Sequence, residues 1–153
     1  MRILVPMRTL VPMRTLVMVI LLATCLTDAA RAGSTIPPAE RAAIQQVITA
    51  QIEAFRRDDG IAAFGFAAPH IRAMFGDGPT FLAMVRRAYP AVYRPRSFSF
   101  GTLAPQDGLL VQKVELVGPD GQGTLALYGM EHEPDGSWRI GGCSLAKSER
   151  VEI

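Results

Sequence analysis

Cysteine is scarce in this sequence, and the scarcity excludes more than any motif includes. Only Cys25 and Cys143 occur in 153 residues, beside one tryptophan and two histidines. Two thiols so far apart supply neither a Cys-x-x-Cys redox pair nor the clustered thiolates of a structural zinc site. His70 and His132 have no further ligand at metal-binding spacing, so no metal is expected. Also missing are a glycine-rich phosphate loop, a Gly-x-Ser-x-Gly nucleophile elbow and a His-Glu-x-x-His helix. P-loop nucleotide enzymes, α/β-hydrolases and zinc proteases are thereby set aside, and no cofactor is expected. Long apolar runs are rare too. The principal one, Leu16–Leu26, lies in the 13 residues between Arg14 and Asp28, short of the roughly 20 that a spanning helix needs.

That run has the setting of a leader. MRILVP, MRTLVP and MRTLVM stand in succession, opened by Met1, Met7 and Met13. A solenoid unit needs about 20 residues to bury a face on its neighbour, so this short unit, with Pro6 and Pro12, reads as duplicated leader. From Met13 the parts follow the order of a secretory signal: Arg14, the apolar run, then Ala30-Arg31-Ala32 as a small-x-small cleavage site. The expectation is a signal peptide over 1–32, started at Met13, and a periplasmic or secreted chain of 33–153. Leu22-Ala23-Thr24-Cys25 loosely resembles a lipoprotein box, and a lipid anchor on Cys25 is the alternative. Removing the leader changes 16 basic against 14 acidic residues into 12 against 13. A near-neutral exported chain carries no electrostatic footprint for nucleic acid. Cys143 would then be alone, so no internal disulfide is possible and a buried, inert thiol is expected.

Residues 33–153 have the size of one domain, with no low-complexity linker to divide them. Pro37 and Pro38 mark a helix start, after which Ile44, Val47, Ile48, Ile52 and Phe55 recur at three- and four-residue steps. Arg56 to Asp59 end this helix and Gly60 stops it. IAAFGFAAP predicts a short buried helix, and Pro69 starts a turn carrying Ile71, Met74 and Phe75, closed by Gly76. Pro79 opens a helix whose Phe81, Met84, Val85 and Ala88 share a face, and Pro90 closes it. After Pro95 the period changes. SFSFGTL, LLVQKVELV, TLALYGMEH and WRIGGCSLA alternate in part with period two, separated by PQDG, GPDG and PDG turns. Short turns imply an antiparallel meander, and helices followed by strands imply an α+β fold with the N-terminal helices on one face of the sheet. Trp138 and Ile140 differ in parity from Cys143 and Leu145. A bulge at Gly141-Gly142 is therefore expected to return all four to one face and bend the sheet.

The stretches QIEAFRRDD, AFGFAAPHI and MFGDGPTFLAMVRRAYPAVYRP resemble the bacterial family known as domain of unknown function 4864, over about Ile44 to Trp138. The resemblance implies a place in the cystatin-like, cone-shaped α+β superfamily of nuclear transport factor two, ketosteroid isomerase and scytalone dehydratase. It further implies that the four-stranded antiparallel sheet is strongly curved, wraps the first helix and leaves an open-ended pocket. It brings no activity. No motif of those enzymes aligns here, so none of their catalytic residues carries over.

The candidate residues follow. VRRAYPAVYRPRS gathers Arg86, Arg87, Arg94 and Arg96 around Tyr89 and Tyr93 with no acid among them. Guanidinium forks beside tyrosines suit a carboxylate, a phosphate or an acidic partner; the competing reading is a solvated helix edge. His132 shares strand parity with Ala126, Tyr128 and Met130 and is expected to face a pocket, where His132, Tyr128 or Tyr89 would be the proton donors. A satisfied structural histidine is the alternative. Glu131 and Glu133 point to the face opposite His132. His70, in a first helical turn, is expected to be exposed. Asp58 and Asp59 read as a cap and local ion pairs rather than catalytic carboxylates. Gln112 shares parity with Leu110, Val114 and Leu116, so its amide points inward, to a backbone group or a ligand. Phe64, Phe66, Phe75, Phe81, Phe98 and Phe100 are core material.

Three readings of function result. The first is an exported small-molecule-binding or protein-interaction domain with a cone-type pocket, without a transmembrane helix in the mature chain and paired as a homodimer through its sheet. The second is a small cone-fold enzyme of proton-transfer or hydration type. The third is a structural accessory subunit, which requires a sizeable exposed apolar patch. An open cavity with two polar groups aimed at one point would favour the enzyme.

Overall fold

A computed structural model describes residues 35–147. The leader, its expected cleavage site at Ala32 and the alternative anchor Cys25 lie outside the described residues. Among the described residues no helix is long and apolar enough to cross a membrane. In the compact unit that begins at Ile36, helices α1 (Pro38–Arg56), α2 (Gly60–Gly65), α3 (Pro69–Phe75), α4 (Gly78–Ala88) and α5 (Pro90–Tyr93) come first. Strands β1 (Ser97–Gln106), β2 (Leu109–Val117), β3 (Gly123–His132) and β4 (Trp138–Lys147) follow. They form one antiparallel sheet in the order β1-β2-β3-β4. The fold is α+β, with the helices packed on a curved four-stranded meander.

The apolar stripe of α1 explains its placement. Ile44, Ile48, Ile52 and Phe55 are buried, and Val47 at the edge of the stripe is half-buried. Pro38 occupies the first turn, where its missing N–H leaves no intrahelical bond unmade. Against this stripe the inner face of the sheet sets Leu103, Val114, Leu116, Ala126, Met130 and Ile140.

Three details differ from the sequence reading. First, α1 is terminated by Asp58, in the left-handed region at φ 57°, rather than by Gly60. Aspartate is among the few residues besides glycine that visit that conformation, and here contacts from far along the chain, Arg94 and Tyr93, hold its carboxylate. Gly60 instead opens α2 in close contact with Gly78, the first residue of α4. A Cβ on either glycine would lie 2.7 Å from the other's carbonyl oxygen. Second, Pro90 does not end the helical region but starts α5, whose Ala91 and Val92 are buried. Third, Ala88 is exposed and Leu82 is buried in its place, because α4 ends at Ala88 and the chain turns at Tyr89.

The bulge in β4 is where parity placed it. Gly129 pairs with Gly142 and Met130 with Ile140, so Gly141 is the extra residue. Trp138, Ile140, Cys143 and Leu145 consequently lie opposite His132, Met130, Tyr128 and Ala126 on one face. A second bulge lies in β1, between Phe100, paired with Val114, and Leu103, paired with Gln112. Two bulges in one sheet increase its twist and curve it round the helices. The β1–β2 turn is Asp107-Gly108 with φ 50° and 83°, the pair of positive values that a two-residue type I′ hairpin requires. Along β4, the Ile140 N–H donates to the Phe66 carbonyl and the Ala68 N–H to the Ile140 carbonyl, both at 2.9 Å. The α2–α3 link thereby covers part of that sheet edge.

Candidate functional site

A cavity of about 250 Å³ lies between the helices and the inner face of the sheet. Its wall is aromatic where α1, α3 and α4 meet. Phe55, Phe75 and Phe81 line it, with the Phe81 ring 6.0 Å from Phe55 and 5.5 Å from Phe75. Phe64 supports Phe81 at 5.4 Å. Met74, 70 % exposed, stands at the mouth, and Tyr128, with no exposed surface, stands at the inner end. Among the described residues that line the cavity none is acidic, basic or histidine.

Its polar groups are Gln51, Tyr89, Tyr128 and Cys143. Gln51 is buried, and its Nε2 donates to the Ala63 carbonyl at 3.1 Å, tying α1 to α2. The Tyr128 hydroxyl is the one buried side-chain polar atom among the described residues without a hydrogen-bond partner. Burial, with Cys143 adding to it, raises the Tyr128 pKa well above its ordinary value, so the phenol stays protonated and offers a hydrogen. Cys143 is half-buried, and burial pushes its thiol up to about 12. A thiol that does not ionise is chemically inert. Proton abstraction needs a base that titrates near the working pH, which the Tyr128 phenol, the Cys143 thiol and the Gln51 amide do not provide.

The structure separates the residues that the sequence grouped. Tyr89 lines the cavity, whereas Tyr93 carries the guanidinium groups of Arg86 and Arg94 over its ring, at 5.4 and 5.0 Å. The added member is Asp58. Its carboxylate accepts from Arg94 at 2.6 Å and from the Tyr93 hydroxyl. The Tyr93 bond first, then Arg94, holds Asp58 below the ordinary carboxylate range, and the same bond raises Tyr93. The α1 terminus thus supplies the anion that the basic segment lacked, and occupies the fork an anionic ligand would use. Arg96 donates to the Pro119 carbonyl, from Nε at 3.1 Å and Nη2 at 2.6 Å. Arg87 is exposed on α4. These arginines do not form one cradle. Asp59 is the expected cap, accepting from the Ala62 N–H of α2 at 2.9 Å.

His132 has the inner parity but does not reach the cavity. It is the last residue of β3, beyond the part of the sheet that the helices cover, and it is exposed with its ring 4.7 Å from Trp138. It belongs to a separate surface groove with Pro105, Leu110 and Met130. His132 and Tyr128 are therefore not brought together as donors. Gln112 does point inward, fully buried, and its amide serves the backbone. Nε2 donates to the carbonyls of Lys113 at 2.9 Å and Gly101 at 3.0 Å, and Oε1 lies 3.4 Å from Gln45 Nε2. His70 is exposed, with Nε2 3.2 Å from the Gly141 carbonyl and Nδ1 3.7 Å from Glu131, which fastens α3 to the β4 bulge. Among the described residues no three potential metal ligands of the His, Cys, Asp and Glu types converge. Gln51 is the cavity residue that sequence reasoning passed over. Its position three residues after Ile48 and four before Phe55 carried the signal.

Residues 38–153 match the family model described as Domain of unknown function (DUF4864), and the chain belongs to that family. Searches among curated proteins and among solved structures gave no match.

Proposed function

We propose that this protein is an exported binding domain that holds a small apolar molecule between its helices and its sheet. The cavity of about 250 Å³ carries the proposal. Ligand sites combine an apolar wall with a few polar groups that fix orientation, and Phe55, Phe81, Met84 and Tyr128 give the cavity that make-up. Export follows from the leader reading: a signal peptide over 1–32 and one α+β domain over 33–153, released into the periplasm or the medium. The long α1 against a doubly bulged sheet supports a place in the nuclear-transport-factor-two-like superfamily. Binding is favoured over proton-transfer chemistry because the described cavity lining holds no acidic, basic or histidine side chain.

The test uses sec-butylbenzene as an apolar probe, followed by ligand-observed NMR and thermal shift. Wild type should bind it saturably. Met84→Trp, which sends an indole into the cavity from the half-buried α4 wall, should abolish binding while the far-ultraviolet spectrum is retained. Binding unaffected by Met84→Trp would refute the cavity as the site.

A further inference from the structure

Tyr128 poses a problem that the binding reading alone does not resolve. Leaving a buried hydroxyl unpaired is destabilising, whereas phenylalanine of nearly the same shape would avoid the penalty. Its cross-strand neighbours on the same face are Gln112 and Cys143. The Gln112 amide N–H groups are committed to the carbonyls of Lys113 and Gly101, and the Cys143 thiol makes no bond to the Tyr128 hydroxyl. Among the described residues no side chain pairs with the hydroxyl, so its partner is to be sought in the cavity whose lining includes Tyr128.

The remaining wall limits what that partner is attached to. The described lining residues hold no charge, so an ion entering would lose its water without gaining a counter-charge. Size can be scaled from a known case. An engineered apolar cavity of about 150 Å³ holds benzene. By proportion, this one accommodates about ten non-hydrogen atoms.

We infer that the ligand is a neutral, largely apolar molecule of that size with a hydrogen-bond acceptor at its buried end, a carbonyl or comparable oxygen, which the Tyr128 hydroxyl receives. The inference rests on the proposed cavity-binding role and specifies the class of molecule bound.

The experiment is a double-mutant cycle read by calorimetry or NMR titration. The probes are propiophenone, the hydrocarbon sec-butylbenzene of equal non-hydrogen atom count, and phenylacetate, titrated against wild type and Tyr128→Phe. Removing the hydroxyl should weaken propiophenone by about five- to tenfold and leave sec-butylbenzene unchanged or slightly tighter. Phenylacetate should not bind either protein. If propiophenone and sec-butylbenzene respond equally to Tyr128→Phe, the donor role is overturned while the cavity reading stands. If phenylacetate matches propiophenone, the selection for neutral ligands is overturned. If neither neutral probe binds wild type, both readings fall. A measurement on wild type alone guards against misfolding of the variant. The carbonyl stretch of carbon-13-labelled propiophenone should shift to lower frequency on binding relative to its value in hexane, and an unshifted band would overturn the donor role.

Discussion

The crossing of α2 and α4 can be tested with a single methyl group. A Cβ built on Gly78 would lie 2.7 Å from the Gly60 carbonyl oxygen, 2.8 Å from its carbon and 2.9 Å from the Ile61 Cα. All three are backbone atoms, which cannot swing aside as a side chain can. Overpacking a tight site costs about 1–3 kcal/mol, and the absence of any flexible neighbour places Gly78→Ala at the upper end, near 2–3 kcal/mol. The gain in helix propensity does not offset this, since it reaches only about 1 kcal/mol even in a helix interior. Gly65→Ala is the control, because its Cβ meets no heavy atom within 4 Å. Restricting the unfolded chain there should stabilise by about 0.4–1 kcal/mol. Urea unfolding measures both: the midpoint should fall for Gly78→Ala and rise for Gly65→Ala, with the slope unchanged in each. The double variant Gly60→Ala/Gly78→Ala should lose less than the sum of its parts, because the first methyl opens the gap the second would enter. The effect reaches the cavity wall, since Phe81 lies one turn into the displaced helix. If Gly78→Ala is as stable as Gly65→Ala, the close crossing is not real.

Other consequences are equally direct. Gln112→Met keeps the length of the side chain but removes the donors to Gly101 and Lys113; a loss of about 2–3 kcal/mol in urea unfolding is expected, and a loss under 0.5 kcal/mol would show that water serves those carbonyls equally well. With its thiol pushed up to about 12, Cys143 should resist iodoacetamide at pH 8 in the native state and react once denatured, as peptide mass spectrometry would reveal; rapid native labelling would contradict that environment. Asp58 has a folded pKa below the ordinary 3.8 through Tyr93 and then Arg94. Its stabilising contribution is complete above 3.8 and is lost as the pH falls through the lower folded value. Melting temperature below pH 3.8 should therefore decline less steeply in Asp58→Asn than in wild type, with a residual slope left by Asp77 and Asp135, also lowered. Identical slopes would remove Asp58 from the account.

What was legible in the residues was local and periodic. The stripe from Ile44 to Phe55, the four strands and the β4 bulge all follow from steps of three, four or two. The parity change between Phe98, Phe100 and Leu103 within SFSFGTL carries the β1 bulge in the same way. Parity also put His132 on the correct face but says nothing of how far along a strand the helices extend, and His132 lies past that limit. Contacts across the chain left no trace in spacing. Asp58 meets Arg94 because the end of α1 returns beside α5, and Gly60 meets Gly78 because two helix starts cross. The cavity was least legible of all, since a void arises where the volumes of packed side chains fail to match, which pattern does not encode.

The most direct test of the central claim is a crystal of the protein soaked with 4-bromoacetophenone and measured at the bromine edge. The account predicts one dominant anomalous peak inside the wall formed by Phe55, Phe81 and Met84, with the ligand oxygen within hydrogen-bonding distance of the Tyr128 hydroxyl. A peak confined to the groove beside His132 and Trp138, or an oxygen turned toward the mouth at Met74, would contradict it.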